Sequence, residues 1–253
     1  MAEPIDEVRY ERRGAAALVT IDRLARRNAI DGKTADALVA ALETFEADDE
    51  ARVMVLTGAG EAFCAGADLT AIETLEPRAR RGEGPLGFTR RVAAKPTIAA
   101  VDGWAVAGGL ELALWCDVRI ASPRSQFGCL ERRFGVPLVD GGTWRLPRIV
   151  GFGRAMELVL TGRLVAADEA LSIGLVTAVV DDPVAHALAI AEQLAGYPQE
   201  TMLSDRRSMY DGYGHPLEEA LKIEARYGAE VLLVGRAGAA RFAAGEGRGA
   251  QGV

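Results

Sequence analysis

Two segments rich in small residues carry the pattern that could act on a carbonyl group. They are 63–69, with the sequence FCAGADL, and 103–111, with the sequence GWAVAGGLE. Each runs from an apolar strand into a helix, and such turns leave backbone N–H groups free at the positive end of a helix dipole. If the two turns face each other, their N–H groups can stabilise a developing oxyanion. Glu111 adds a carboxylate three residues after Gly108, so the pattern indicates a site for carbonyl or thioester chemistry.

Apolar patterning predicts the elements that must position these turns. Asp31 is a plausible N-cap for a helix that ends at about Ala47, and a second helix is expected over 109–115. From Pro198 onward the pattern is helical only, over 200–211, 217–234 and 235–244. Segment 73–87 is either a mobile flap over a cleft or a solvated loop. The predicted strands are 8–11 and 16–21, which form a hairpin, followed by 53–57, 97–101, 118–121 and 176–180.

Repeated strand–strand–helix units before a helical tail favour a layered α/β spiral over an alternating βαβ sheet. A chain of 253 residues that is 49% hydrophobic can bury one sizeable core. No G-x-G-x-x-G follows the first strand and no G-x-x-x-x-G-K-[ST] occurs, so the motifs do not favour a nucleotide-dependent enzyme.

Charge and cysteine usage exclude several classes of protein. The net charge of −7 argues against a general nucleic-acid binder. The cysteines form no C-x-x-C pair and are expected to be buried and reduced, as in a cytoplasmic protein. With two histidines in the chain, a zinc site is not expected. The acidic N-terminus lacks the apolar region of a secretory signal, and no apolar run approaches the length of a membrane span.

The two small-residue segments resemble the signature segments of the enoyl-CoA hydratase/isomerase (crotonase) superfamily. Further similarities follow in the same order along the chain, and the resemblance covers roughly residues 8–195. The supporting segments are 27–29, 95–101, 116–121, 127–131 and 141–148.

The resemblance implies a crotonase-like spiral over residues 1–195. It also implies a C-terminal helical region, 196–253, that serves oligomerisation into a trimer or hexamer and covers the active site. The implied activity is that of an enoyl-CoA hydratase, a lyase that adds water to a 2-enoyl-CoA thioester. No cofactor is expected, because coenzyme A is part of the substrate. The alternatives are a Δ3-Δ2 enoyl-CoA isomerase, another crotonase-family acyl-CoA activity, and a non-catalytic acyl-CoA-binding paralogue.

The resemblance also assigns roles to residues. The backbone N–H groups of Ala67 and Gly108 would form the oxyanion hole, and Glu111 and Glu131 would carry out the acid/base steps. Arg26 and Lys95 are further candidates for contacts with the coenzyme A phosphates. Residues implied in binding coenzyme A and the substrate are Arg27, Ala29, Ala65, Asp68, Leu69, Thr70 and Gly109.

Structural alternatives stay open at the acidic positions. Glu111 could be a residue favoured by a helix dipole. Glu131 could pair with a nearby arginine, since Arg132 and Arg133 follow it directly. Asp140 is a candidate pocket acid, although it could instead cap a helix that begins at Gly141 or bind Arg145.

Overall fold

The computed structural model describes residues 7–82 and 84–246. The chain divides into two compact units, Met1–Ala191 and Glu192–Val253. In the first unit the strands are β1 (Val8–Arg13), β2 (Ala16–Ile21), β3 (Val53–Gly58), β4 (Ala62–Cys64), β5 (Thr97–Val101), β6 (Trp104–Val106), β7 (Val118–Ala121), β8 (Gln126–Gly128), β9 (Val165–Ala166) and β10 (Ala178–Val179).

Helices follow or connect these strands. The α-helices are α1 (Gly32–Ala47), α2 (Glu76–Arg80), α3 (Gly108–Trp115), α4 (Gly142–Val150), α5 (Phe152–Thr161), α6 (Ala167–Ser172) and α7 (Pro183–Ala195), which runs past the division between the units. Within the described part of the chain, three segments form 3-10 helices: Leu24–Arg26, Leu69–Thr74 and Leu130–Phe134.

The strands form two sheets. The larger sheet has the order β1-β2-β3-β5-β7-β10, in which the β1–β2 hairpin is antiparallel and the other neighbours are parallel. The smaller sheet has the order β4-β6-β8-β9, and its β4–β6 and β6–β8 pairs are parallel. These connections confirm the expected spiral of strand–strand–helix units.

Burial explains why the apolar runs form central strands. Every residue of β2 and β5 is buried, as expected for strands that are covered on both faces. The α1 helix packs against this core through Leu38, Leu42 and Phe45. Asp31 caps it as predicted, since its carboxylate accepts a hydrogen bond from Thr34 N at 2.9 Å.

Segment 73–87 contains a helix where the sequence predicts a flap or loop. The α2 helix occupies its middle, with Pro77 in the first turn, where a proline costs no hydrogen bond. Leu75 and Leu86 are buried near the two ends of the segment, so it packs into the core and is not merely a solvated loop. Glu83 lies outside the described residues.

In the second unit, α8 (Gln199–Gly212) is followed by α9 (Leu217–Glu230) and α10 (Leu232–Ala243). Within this unit Ser204 Oγ donates to the carbonyl of Tyr227 at 2.9 Å, which ties α8 to α9. The prediction that one helix spans 217–234 was wrong about where that helix ends, because the break between α9 and α10 falls at Val231. No helix in residues 7–82 and 84–246 combines the length and the apolar character needed to cross a bilayer.

Candidate active site

The first small-residue turn leaves β4 and presents the N–H group of Ala67. Ile30 N donates to Gly66 O and Asp68 N donates to Ile30 O, each at 2.8 Å. This pairing forms an isolated parallel bridge between Ile30 and Ala67. In such a bridge the flanking groups bond to the partner, so the N–H of the central residue points to the opposite side. Ala67 N is therefore turned away from Ile30, and Ala67 lines the cavity described below.

The second turn connects β6 to α3 and presents the N–H group of Gly108. Ala107 has φ 52° and ψ −127°, a conformation that costs a residue with a side chain on the order of 1–3 kcal/mol. Gly108 is the first residue of α3, where N–H groups have no partner within the helix. The strained Ala107 thus turns the chain so that a helix N-terminus faces the cavity.

The two turns touch each other. A methyl group built on Gly66 would lie 2.8 Å from Gly108 N, and one built on Gly108 would lie 3.3 Å from the Cα atom of Gly66. Gly66 also has φ 93°, which residues with side chains rarely adopt. Only glycine therefore allows the first turn to approach the second this closely.

Glu111 lies one helical turn into α3 and is 2% exposed. Its Oε1 accepts hydrogen bonds from Gly142 N at 2.7 Å and Asp140 N at 2.9 Å. Burial, followed by the charge of the nearby Asp140, raises the pKa of Glu111 to about 7, against the opposing effect of these two N–H donors. The carboxyl group is therefore held in one place and can exchange a proton near neutral pH.

Glu131 lies on the 3-10 helix that follows β8 and is 6% exposed. Neither of its carboxylate oxygens has a hydrogen-bond partner within the described part of the chain. Burial raises the pKa of Glu131. The sequence left open an ion pair with a neighbouring arginine, but no arginine of the described residues donates a hydrogen bond to this carboxylate.

One cavity of about 560 Å³ joins these groups. The predicted residues that line it are Arg27, Ala65, Ala67, Leu69, Gly108, Glu111, Glu131 and Asp140. The remainder of its wall is mostly apolar and includes Ile72, Leu75, Pro85, Leu86, Phe134, Val136, Pro137 and Val139. The cavity thus combines several carboxyl groups, among them those of Glu111 and Glu131, and two backbone donors with an apolar wall suited to an acyl chain.

Asp140 neither caps α4 nor begins it. Gly141 is the N-cap of that helix and no side chain caps it. The Asp140 carboxylate instead accepts hydrogen bonds from Leu86 N, at 3.1 Å, and from the Thr89 hydroxyl. Arg145 donates to the main-chain carbonyl of Asp140 at 2.9 Å. Burial raises the pKa of Asp140.

Four residues implied in coenzyme A binding lie beside the cavity without lining it: Ala29, Asp68, Thr70 and Gly109. The Asp68 carboxylate accepts from Thr70 N at 3.0 Å and pairs with Arg23 at 3.3 Å. Gly109 packs so closely that a methyl group on it would lie 2.0 Å from the Cys64 carbonyl oxygen. In these positions Asp68 and Gly109 shape the two turns.

The two further phosphate candidates differ in their surroundings. Lys95 Nζ donates to the carbonyls of Asp48 and Ala51, each at 2.8 Å, and is not among the described residues that line the cavity. The Arg26 side chain is more than half exposed and lies 4.0 Å from Asp68. Arg27, with φ 50°, is the arginine that lines the cavity.

The sequence left segment 73–87 open as a flap over a cleft or a solvated loop, but it did not identify Pro85 and Leu86 as residues of the cavity wall. The available signal was the Gly84-Pro85-Leu86-Gly87 sequence, which is typical of a tight turn. Gly87 N donates to Gly84 O at 3.0 Å and closes this turn. Nothing in the local sequence shows that it packs beside Gly108.

Across residues 7–82 and 84–246, no group of three or more His, Cys, Asp or Glu side chains is arranged to hold a metal ion.

Comparisons with known proteins agree with this geometry. The family model described as enoyl-CoA hydratase/isomerase matches residues 11–238. A short-chain-enoyl-CoA hydratase from Clostridium acetobutylicum is 42% identical over 182 residues, which cover 70% of each chain. A crotonyl-CoA hydratase from Syntrophomonas wolfei is 34% identical and the match covers 87% of each chain.

Solved structures give the same result. The crystal structure of an enoyl-CoA hydratase from Mycobacterium marinum superposes with a TM-score of 0.86 at 34% identity, covering 94% of this chain and 96% of that one. An enoyl-CoA hydratase from Bacillus anthracis gives a TM-score of 0.83 at 31% identity, covering 89% of this chain and 91% of the other. With a family model that spans most of its length and relatives this similar, the chain belongs to the enoyl-CoA hydratase/isomerase family.

Proposed function

We propose that this protein is an enoyl-CoA hydratase that adds water across the double bond of a 2-enoyl-CoA thioester to give a 3-hydroxyacyl-CoA. The observation that carries the proposal is the meeting of Glu111 and Glu131 with the turns of Ala67 and Gly108 at one cavity. The relatives named as short-chain-enoyl-CoA and crotonyl-CoA hydratases support the same reaction.

In this proposal the thioester oxygen accepts hydrogen bonds from Ala67 N and Gly108 N. Addition at C3 places negative charge on that oxygen in an enolate-like state. Fixed backbone donors stabilise such a charge by about 3–4 kcal/mol each, because they need no reorganisation during the reaction. The free helix N-terminus at Gly108 supports this assignment.

The two glutamates differ in a way that suits the two proton transfers. Two backbone N–H groups support a negative charge on Glu111, so it takes a proton from the attacking water. The Glu131 carboxylate has no hydrogen-bond partner within the described residues, and burial raises its pKa, so we assign to Glu131 the proton that is delivered to C2. The water oxygen bonds to C3, and exchange with solvent restores both glutamates to their starting forms.

Hydration of crotonyl-CoA, followed as the loss of conjugated absorbance, tests the proposal. We expect Glu111→Gln and Glu131→Gln each to lower kcat by about 10²- to 10⁴-fold, the usual contribution of a positioned acid or base. Both variants should fold, because glutamine at position 111 can still accept at Oε1 and the Glu131 carboxylate has no hydrogen bond to lose; circular dichroism checks this. Normal turnover by the double variant would overturn the assigned roles.

The same variants separate hydration from the alternatives. A Δ3-Δ2 isomerase needs only one base at Glu131, so its activity on a 3-enoyl-CoA would survive Glu111→Gln and be lost in Glu131→Gln. A non-catalytic paralogue would bind acyl-CoA in calorimetry and turn over no member of a thioester panel. Each outcome identifies one candidate.

Coenzyme A enters this reaction only as part of the substrate, and the chemistry proposed for the four groups needs no further cofactor. We infer that the adenine is bound by backbone groups of 65–70 and near Ala29, and that Arg27 contacts a phosphate. The position of Arg27 in the cavity wall supports the last contact.

We also infer a division of labour between a catalytic core, 1–195, and an oligomerisation region, 196–253. Exposed apolar side chains on α9 and α10, including Leu217, Leu233 and Phe242, support a trimer or hexamer, which sedimentation velocity would measure. A cytoplasmic location is supported by free thiols at Cys64, Cys116 and Cys129. Localisation of a tagged chain would test it.

A further inference from the structure

Asp140 is a buried carboxylate that the proposed reaction does not use. It is 2% exposed. Its Oδ1 atom accepts hydrogen bonds from Leu86 N, at 3.1 Å, and from the Thr89 hydroxyl. A carboxylate that is buried in this way is retained at a cost in desolvation, so its partners indicate what it does.

The main chain of Asp140 connects the same residue to Glu111. Asp140 N donates to Glu111 Oε1 at 2.9 Å, alongside Gly142 N. The Asp140 carbonyl accepts from Arg145 at 2.9 Å, and Arg145 also donates to Thr89 O at 2.7 Å. Asp140 therefore contacts the glutamate through its backbone and the 84–89 segment through its side chain.

The 84–89 segment carries a side chain that lies directly against the second turn. Leu86 Cδ1 is so close to Gly108 that a methyl group built there would be 2.3 Å away. Leu86 and Pro85 also line the cavity. A shift of Leu86 would change the space beside Gly108 N, where the proposed thioester oxygen binds.

We propose that Asp140 is a positioning residue: its side chain holds Leu86 against Gly108, while its backbone N–H holds the Glu111 carboxylate. By fixing the distance between these two groups, Asp140 sets the width of the acyl pocket beside the oxyanion hole. The positioning role rests on its Oδ1 atom, which accepts from two donors of the 84–89 segment. The inference about pocket width depends on the proposed function, whereas the anchoring of Leu86 does not.

Amide hydrogen exchange tests the anchoring without any assay of activity. Asp140→Ala removes the acceptor, so we expect the Leu86 amide to exchange at least about tenfold faster, as for a backbone group that loses its protecting partner. Asp140→Asn keeps an acceptor oxygen and should stay within about threefold of wild type by the same argument. Glu50→Gln, a charge loss at a side chain that is 78% exposed, is the matched control and should change nothing at Leu86.

Thr89→Val extends this test, because it removes one donor to Asp140 and leaves the carboxylate in place. We expect intermediate exchange at Leu86. Unchanged exchange in Asp140→Ala would overturn the proposal.

Kinetics then test the pocket. Crotonyl-CoA and an eight-carbon 2-enoyl-CoA are compared in each variant. In Asp140→Ala we expect kcat/KM for crotonyl-CoA to fall by up to about 10²-fold, as for a reacting group displaced by about 1 Å, with a changed ratio between the two substrates. Asp140→Asn should restore the wild-type ratio. A ratio altered equally in both variants would mean that Asp140 acts through its charge and would overturn the positioning role.

The two proposals fail separately. If wild type hydrates neither substrate, the proposed function is wrong, and the exchange experiment still decides whether Asp140 anchors Leu86.

Discussion

Glu111 shows how one buried residue couples the chemistry of the site to the stability of the protein. Its carboxyl group is deprived of water in the interior, and this burial is the main reason why its pKa rises to about 7 from an ordinary 4.5. The folded protein therefore holds a proton on Glu111 at pH values where the unfolded chain has already released it. Stability and catalysis must both respond to pH through this group.

Unfolding measurements should detect this coupling. The stabilising contribution of protonated Glu111 is complete below about pH 4.5 and is lost as pH rises through about 7. Glu111→Gln stays neutral, so its advantage over wild type should grow between pH 4.5 and pH 8 by on the order of 2–3 kcal/mol, at 1.36 kcal/mol for each pKa unit. Urea unfolding at a series of pH values measures the difference.

The exposed Glu50→Gln variant provides the control for this series, because its curve should run parallel to wild type. If the curve of Glu111→Gln were also parallel to wild type over this range, Glu111 would not hold a proton in the folded protein at neutral pH.

At the residue scale the sequence was most informative where the chemistry itself requires a residue type. Glu111 and Glu131 were predicted from their segments, and the structure brings both to one cavity. For Asp140 the sequence left three roles open, none of which involved Leu86 or Thr89. Its partners are more than fifty residues away along the chain, so only the tertiary fold could identify them.

At the scale of elements, the function depends on how closely two strand-to-helix turns approach each other. Gly66→Ala should slow hydration, because the new methyl group would lie 2.8 Å from Gly108 N and occupy the place of the thioester oxygen or displace the donor. We expect kcat to fall by about 10²- to 10³-fold, the loss seen when one oxyanion donor is removed. Steady-state hydration of crotonyl-CoA measures it.

Gly151→Ala is the matched control for this variant. Gly151 has φ 85°, close to the 93° of Gly66, but a methyl group on it meets no atom within 4 Å. Both variants therefore place a side chain at a positive φ, where backbone strain is expected. Equal losses of activity in the two would mean that strain, and not obstruction of the proposed oxyanion hole, explains the effect of Gly66→Ala.

The elements were predicted well where a short apolar run ends at a turn signal. β3, β5 and β7 match the predicted strands to within one residue. In β3 and β5 the reason is that burial on both faces favours a continuous apolar run. The helical tail was harder. Leu217–Glu230 and Leu232–Ala243 meet at Val231. Valine has both a backbone N–H and a side chain, so it does not mark the end of a helix as proline or glycine does. The break was therefore not visible in the pattern.

At the scale of the whole first unit, one largely buried arginine side chain links several elements that surround the cavity. Arg23, whose side chain is 10% exposed, pairs with Asp31 at 2.8 Å and with Glu7 and Asp68 at 3.3 Å. Asp31 begins α1, and Asp68 follows Ala67 in the first turn. The sequence could not indicate this cluster, because an isolated arginine after a strand is ordinarily a surface residue.

Removing the Arg23 charge should therefore destabilise the protein far more than removing a surface charge. Arg23→Met keeps much of the aliphatic volume but leaves the partly buried carboxylates of Asp31 and Asp68 without their cation. We expect the free energy of unfolding in urea to fall by about 3–5 kcal/mol, as when one partner of a buried ion pair is lost. Arg26→Met is the control, because the Arg26 side chain is more than half exposed and its distance to Asp68, 4.0 Å, is long for an ion pair. This variant should lower the free energy of unfolding by less than about 1 kcal/mol. Similar losses in the two variants would show that Arg23 acts as an ordinary surface charge and that the first turn is positioned by backbone pairing with Ile30 alone.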